Sequence, residues 1–332
     1  MMWFEELTGF AEEKPEQVRK NLAVSGTTLR SKINGKEYIC GRLEIPTLAD
    51  LRKQVSLLET PQHRLQISEV VGNVQALHGE SENEGALFQA ASQFNLLEMV
   101  NPRVTPEQGI GIYQYDRTQG PACAIACGAG TIYRNYFAEI NGRVGQTADN
   151  QIDCLKDIGR FFNNEERQLW QMQNGYALAN GEGLKVISRE IQAMSTTAYD
   201  ELKSRLRIGL QWNTEVTLGT HRQLVSQVYC SALPVAYSQI EAQHWESFAR
   251  LVLEATYEAT FLAALINYAN TGNPKLFLTL VGGGAFGNPA AWIFDAIRQS
   301  VEIFARTPLQ VKMVSYGRSN VAVRAFVKEC SQ

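Results

Sequence analysis

The alternation of apolar and polar positions is clearest in the last third of the chain. From Ser247 to Tyr268, Phe248, Leu251, Val252, Ala255, Ala259, Leu262 and Ile266 recur at three- and four-residue spacing, which predicts a long helix. Lys275 to Val281 is a continuous apolar run of strand length, as in a strand buried on both faces. A glycine-rich loop follows, then a helical pattern from Pro289 to Phe304 and a strand from Leu309 to Tyr316. Upstream, Leu206 to Leu218 and Leu224 to Ala236 are rich in Val, Leu, Ile and Tyr and read as strands. Strands alternating with helices imply a covered, at least partly parallel sheet.

The earlier half is less regular. Residues 1–35 read as a helical and then irregular arm, interrupted at Ser25-Gly26-Thr27-Thr28. Lys36 to Pro46 reads as a strand, and Thr47 caps a helix with Leu48, Leu51, Val55 and Leu58 as its stripe. His63 to Leu77 holds a strand that ends at Gly72-Asn73. The acidic segment His78 to Glu84 then leads into a predicted helix from Gly85 to Val100. The small-residue stretch from Gly109 to Phe137 follows no period. Beyond it come a short helix near Asp153 to Phe162 and strands at Gly175 to Ala179 and Leu184 to Ile187. The organisation expected is an arm over 1–35 and one domain over 36–332, with an insertion at about 101–200.

Composition narrows the function. With 45% hydrophobic and 20% charged residues in 332, the chain can bury a sizeable core. A net charge of -3 supplies no basic field, so neither nucleic acid nor a membrane is an expected partner. A small anion stays compatible, because backbone amides bind phosphate without net positive charge. Acids within the first twenty residues argue against a secretory signal, and the weakly charged run Ala255 to Tyr268 is short for a bilayer and contains Glu258. The location expected is cytoplasmic or nuclear, with the six dispersed cysteines reduced.

The sharpest chemical feature is Val281-Gly282-Gly283-Gly284-Ala285-Phe286-Gly287-Asn288-Pro289, between a buried strand and a helix that starts at Pro. Glycines let backbone N–H groups approach a diphosphate, and a helix N-terminus favours negative charge. A tight turn also needs glycine, but three in succession and a fourth exceed what one turn requires.

With the helix containing Leu253-Glu254-Ala255-Thr256-Tyr257-Glu258-Ala259-Thr260, the apolar strand before this loop, the helix with Trp292-Ile293 and Ala296-Ile297, and the strand Val311-Lys312-Met313-Val314, this segment resembles the C-terminal half of ADP-ribose-binding macrodomains. A looser likeness covers Val70-Val71-Gly72-Asn73-Val74 through Gly85-Ala86-Leu87-Phe88-Gln89, and its acids resemble the poly(ADP-ribose) glycohydrolase branch. The resemblance implies a three-layer α/β/α fold with a mixed sheet, an N-terminal extension and a central insertion. It also implies an ADP-ribose or ADP-ribosylated-protein partner, and a hydrolase acting at the distal ribose of modified protein, arginine- or acid-linked, or of poly(ADP-ribose). No cofactor or metal is expected. An ADP-ribose reader without catalysis, or an interaction module without nucleotide, uses the same segments. By resemblance Gly282, Gly283, Gly284, Ala285, Phe286, Gly287 and Asn288 hold the diphosphate and distal ribose. Gly72, Asn73, Val74, Gly85, Ala86 and Gln89 complete the ligand site.

Cleavage at C1″ passes through an oxocarbenium-like state, so a nearby carboxyl group is required. Glu82 and Glu84 in the acidic loop and Glu215 in a strand are the candidates, although solvated acids in a turn or at a strand edge look the same. Asp116, Asp149 and Asp153 suit substrate or a divalent ion, and turn formation explains them as well. Cys123, Cys127 and Cys230 read as core residues, and among the histidines only His78 falls in a predicted ligand loop. Tyr133, Arg134, Asn135 and Tyr136 are placed to meet a base or to end a strand.

Overall fold

The structure, a computed structural model, describes residues 2–219 and 221–331. Met1 of the expected arm and Gln332 of the expected domain lie outside the described residues. Seven strands form the main sheet: Arg42–Glu44 (β1), Gln66–Val71 (β2), Leu87–Ala91 (β3), Gly209–Glu215 (β4), Leu224–Cys230 (β5), Lys275–Leu278 (β6) and Gln310–Ser315 (β7). Their order is β1-β4-β5-β3-β6-β7-β2. The run β5-β3-β6-β7-β2 is parallel, and β4 is antiparallel to both of its neighbours.

Helices cover both faces, giving the expected three layers. On one face lie Val74–Gly79 (α2), Gln119–Ala126 (α3) and Gly128–Tyr136 (α4). On the other, Ala242–Thr271 (α6) packs against Leu48–Val55 (α1), Gly181–Gln192 (α5) and Ala290–Ile303 (α7), and Val321–Cys330 (α8) flanks α7 and β2. Side chains alternate along β3 accordingly. The Phe88 ring stacks between His78 of α2 and Phe277, while Gln89 reaches Thr260 of α6 at 2.9 Å. The α6 helix ends where Gly272 adopts φ 76° and returns its N–H to the carbonyl of Tyr268.

Thr47 caps α1 in a reciprocal box with Asp50, as its position suggested. The expected strand from Lys36 is two, Glu37–Ile39 and β1, separated at Gly41, whose φ is 75°. Any Cβ there would lie 2.2 Å from the carbonyl oxygen of Trp212. Two expectations are overturned. The predicted helix from Gly85 to Val100 is strand β3 followed by a loop, because the segment is inserted between β5 and β6 and takes its hydrogen bonds from them. The predicted strand Leu184 to Ile187 lies in helix α5, where Leu184, Ile187 and Ile191 form a buried stripe behind the cap of Asn180. The Gly109 to Phe137 stretch contains α3 and α4.

The N-terminal segment carries helices Trp3–Thr8 and Pro15–Asn21 and a hairpin of Leu22–Ser25 with Thr28–Ser31. Its Phe4, Leu7, Val18, Leu22 and Leu29 share a second hydrophobic cluster with Ala124, Ala129, Ile132 and Tyr136 of α3 and α4. Between its helices Glu12 accepts hydrogen bonds from the amides of Ile110 (3.0 Å) and Gly111 (2.5 Å) and from the Tyr136 hydroxyl (2.6 Å). Replacing Glu12 by Ala leaves three part-buried donors without an acceptor, and we expect a loss of about 2–3 kcal/mol in chemical denaturation. A change below about 0.5 kcal/mol, the range of ordinary surface substitutions, contradicts a fastening role for Glu12.

Candidate active site

Because five strands run the same way, the loops after β2, β3, β5, β6 and β7 emerge at one edge of the sheet. The glycine loop follows β6 there. Tyr257 of α6 holds its start: the hydroxyl donates to the carbonyl of Thr279 (2.8 Å) and accepts from the amide of Val281 (2.9 Å). Gln89 accepts from the amide of Thr279 (3.2 Å). Two of the four glycines are required by the turn itself. Gly282 has φ 79°, with any Cβ 2.5 Å from that of Ala232; Gly287 has φ 69°, with any Cβ 2.6 Å from that of Ala236. Gly284 differs, because its φ is not left-handed and nothing lies within 4 Å of an added Cβ. Among the described residues, the amides of Gly282, Gly284, Ala285 and Phe286 find no acceptor, so they are free for a ligand. Asn288 closes the loop by donating to the carbonyl of Leu233 (2.8 Å).

The loop walls an inner hollow of about 250 Å³, shared with Ala91, Ser92, Gln93 and Glu98 after β3, Asp116 and Thr118 to Pro121 before and within α3, and Tyr176, Ala232 and Tyr237. A second lobe of about 450 Å³ adjoins it through Asp116, Thr118, Gln119 and Thr279. Its lining mixes the amides of Asn73, Gln114 and Gln119 with Val74, Ala122, Ile125 and Val314. Amides beside an aliphatic floor suit a flat heterocycle, and the two lobes together are of ligand-binding size. Gly120 lets α3 touch the end of β3: a Cβ there would be 1.9 Å from the carbonyl oxygen of Ala91 and 3.1 Å from Cγ of Glu98.

Glu98 is the group that residue-by-residue reading missed. Its loop is pinned from several directions. Gln93 accepts from the Met99 amide (2.8 Å) and donates to the Met99 carbonyl (3.2 Å). Tyr176 donates to the same carbonyl (2.7 Å), and the Glu98 amide donates to the Tyr113 hydroxyl (3.0 Å). Leu96 is held at φ 64°. Glu98 is 3% exposed, and neither carboxylate oxygen has a hydrogen-bond partner. The nearest cation is Arg134, at 3.9 Å and fully buried; its guanidinium lies over the Tyr229 ring and bonds to Leu96 and Thr131. Burial pushes the Glu98 carboxyl up to about 8, against the opposing pulls of Arg134 and the Tyr113 hydroxyl, which favours its protonated form. The signal in the sequence was a lone acid inside Leu96-Leu97-Glu98-Met99-Val100.

The three expected carboxylates lie elsewhere. Glu82 and Glu84 precede β3, at the edge opposite the glycine loop. Lys275, at the start of β6, bonds Glu82, and Asn273 bonds the carbonyl of Glu84. Glu215 lies opposite Leu224 at the start of β5, also on that far edge, where it pairs with Arg222 at 2.5 Å and accepts from the Ile39 amide. The strand direction therefore separates all three from the glycine loop. Gly85 and Ala86 share the far edge, and Gln89 is a buried brace. Gly72, Asn73 and Val74 line the second lobe.

Arg134 is a core residue behind Glu98, and Tyr136 and Asn135 bond to Glu12 and Pro106. His78 is buried against Phe88 and its pKa is pushed down to about 4 by desolvation, so it is a neutral core side chain. Asp149 pairs with Arg143 and Asp153 caps Leu155, both outside the cleft lining, whereas Asp116 lines both lobes. Cys123, Cys127 and Cys230 are buried, and burial raises each thiol pKa, that of Cys230 to about 12. Among the described residues, no group of three or more His, Cys, Asp or Glu is placed to hold a metal ion, and no helix is long and apolar enough to cross a membrane.

No protein-family model matches the chain, and neither does any curated protein. Solved structures similar to it include poly(ADP-ribose) glycohydrolase from Thermomonospora curvata bound to the inhibitor ADP-HPD, at 10% identity over 95% of both chains with a TM-score of 0.45. Another is the Deinococcus radiodurans glycohydrolase in complex with ADP-ribose, at 11% identity over 87% of this chain and 94% of that one, with a TM-score of 0.44. At these scores the case for function rests on the residues of the cleft.

A carboxyl group raised by burial contributes stability below its unfolded pKa of about 4.3, and that contribution is lost as pH rises through the folded value. The melting temperature of Glu98→Gln minus that of the wild type should therefore increase between pH 5 and pH 9. A difference that stays flat across this range means that Glu98 is not protonated in the folded protein.

Proposed function

We propose that the cleft binds ADP-ribose and that the protein is a hydrolase cutting the bond at C1″ of its distal ribose. The observation that carries this reading is a buried carboxyl group, with no hydrogen bond to either oxygen and 3.9 Å from Arg134, on the wall that faces the glycine loop. The adenine occupies the lobe of Asn73, Gln114 and Gln119, the diphosphate lies over the free amides of Gly282, Gly284, Ala285 and Phe286, and the distal ribose enters the inner hollow. Phe286 orients that ribose. A reader needs the same grip but no acid beside C1″, so Glu98 favours hydrolysis.

In the reaction, protonated Glu98 gives its proton to the leaving atom as the bond to C1″ breaks and positive charge spreads over C1″ and the ring oxygen. Water then adds to C1″ and returns a proton to the Glu98 carboxylate, restoring the acid. Poly(ADP-ribose) and ADP-ribosylated protein both present such a bond.

Calorimetry with ADP-ribose tests the grip, and release of ADP-ribose from modified protein or polymer tests the chemistry. Wild type should bind saturably, and Gly284→Glu should abolish binding by placing a carboxylate where the diphosphate lies. Glu98→Gln should keep its affinity within about threefold while turnover falls by about 10²–10⁴, the usual worth of a general acid. Activity should decline as pH rises through about 8, where the acid form disappears. Binding without turnover of either substrate leaves a reader, and absence of binding by folded wild type removes the nucleotide reading altogether.

A further inference from the structure

The inner hollow continues past Glu98 to a wall of three aromatic rings. Tyr176, Tyr237 and Phe286 stand 5.1 to 5.6 Å apart, centroid to centroid, and all three line the space beside Glu98. Two carboxyl groups line the hollow, Glu98 and Asp116, and among the described residues no Lys or Arg lines it. Arg134 stands behind Glu98, fully buried, over the Tyr229 ring, bonded to Leu96 and Thr131 and 3.9 Å from the Glu98 carboxyl group. The arginines that line neighbouring hollows, Arg117 and Arg318, belong to the second lobe and to the far side of the glycine loop.

Leaving groups differ in what they require of this wall. An acid-linked substrate would release a carboxyl group that becomes a carboxylate beside Asp116. The next unit of a polymer would bring phosphates to a place without cations. A guanidinium finds what it prefers, aromatic faces for its plane and the Asp116 carboxylate for its charge. Resting on the hydrolase reading, we infer that the substrate class is arginine-linked ADP-ribose, whose guanidinium lies between the aromatic wall and the two carboxyl groups.

The step balances without any co-reactant other than water. The bond between C1″ and the guanidinium nitrogen breaks, its electron pair leaves with a neutral guanidine, and that guanidine takes the Glu98 proton. Water adds to C1″ and gives a proton to the Glu98 carboxylate. The products are ADP-ribose and an arginine guanidinium.

The test offers the full chain ADP-ribosyl-agmatine, protein carrying glutamate-linked ADP-ribose, and poly(ADP-ribose), and follows release of ADP-ribose. ADP-ribosyl-agmatine should have the highest kcat/KM. Tyr237→Leu should raise its KM by about tenfold, the worth of one desolvated cation–π contact, with the affinity for free ADP-ribose retained. Asp116→Asn, a change on the cleft rim, should lower kcat/KM for the same substrate. Preference for the ester or the polymer, or a Tyr237→Leu effect equal on all three, overturns the guanidinium inference and leaves the hydrolase reading standing. Release from none of the three by a protein that binds ADP-ribose overturns both.

Discussion

The shared direction of β5, β3, β6, β7 and β2 is the constraint from which the rest of the site follows. In open α/β sheets ligands bind beyond the carboxyl ends of the strands, because the loops there converge while the helices cover the faces. Here that edge gathers Asn73, Glu98, Tyr237, Gly282 to Phe286 and Tyr316, which are distant in sequence. The opposite edge receives Glu82, Glu84 and Glu215, each tied to a basic or amide side chain beyond reach of the glycine loop. Two buried braces transmit the order of the sheet into the cleft: Gln89 links β3 to Thr279 and α6, and Tyr257 links α6 to the first turn of the glycine loop.

What could be read from the sequence was what local physics decides. The apolar run of β6, the long stripe of α6 and the cap at Thr47 each carry their signal within one segment, and each is present in the structure. Segment β3 reads Leu-Phe-Gln-Ala-Ala, a composition that suits a helix in isolation. It becomes a strand because β5 and β6 offer it partners from more than a hundred residues away, and no local pattern encodes that. The loop carrying Glu98 is harder still to read, since Leu96 at φ 64° is held by Arg134, the Glu98 amide by Tyr113 and the Met99 carbonyl by Tyr176, none of them a sequence neighbour.

The glycine loop shows how structure separates two explanations that the sequence leaves side by side. A turn accounts for Gly282 and Gly287, where left-handed φ and contacts with Ala232 and Ala236 forbid a side chain. It does not account for Gly284, which has an ordinary φ and open space beside it. A residue without steric need for glycine, next to amides without acceptors, is what close approach of a ligand requires. The surplus of glycines therefore divides into two kinds with different reasons.

The same division applies to the acids. Residue type and loop position selected Glu82, Glu84 and Glu215; at the far edge Glu82 and Glu215 pair with Lys275 and Arg222, and Glu84 is held by its backbone carbonyl. What distinguishes Glu98 is energetic: two carboxylate oxygens without hydrogen bonds, in a setting that raises the pKa to about 8. Removing such a group from water is costly, and an apolar residue of similar size would fit Leu96-Leu97-x-Met99-Val100 without that cost. Its place on the cleft wall beside the aromatic triad marks it as the group that the proposed hydrolysis would use.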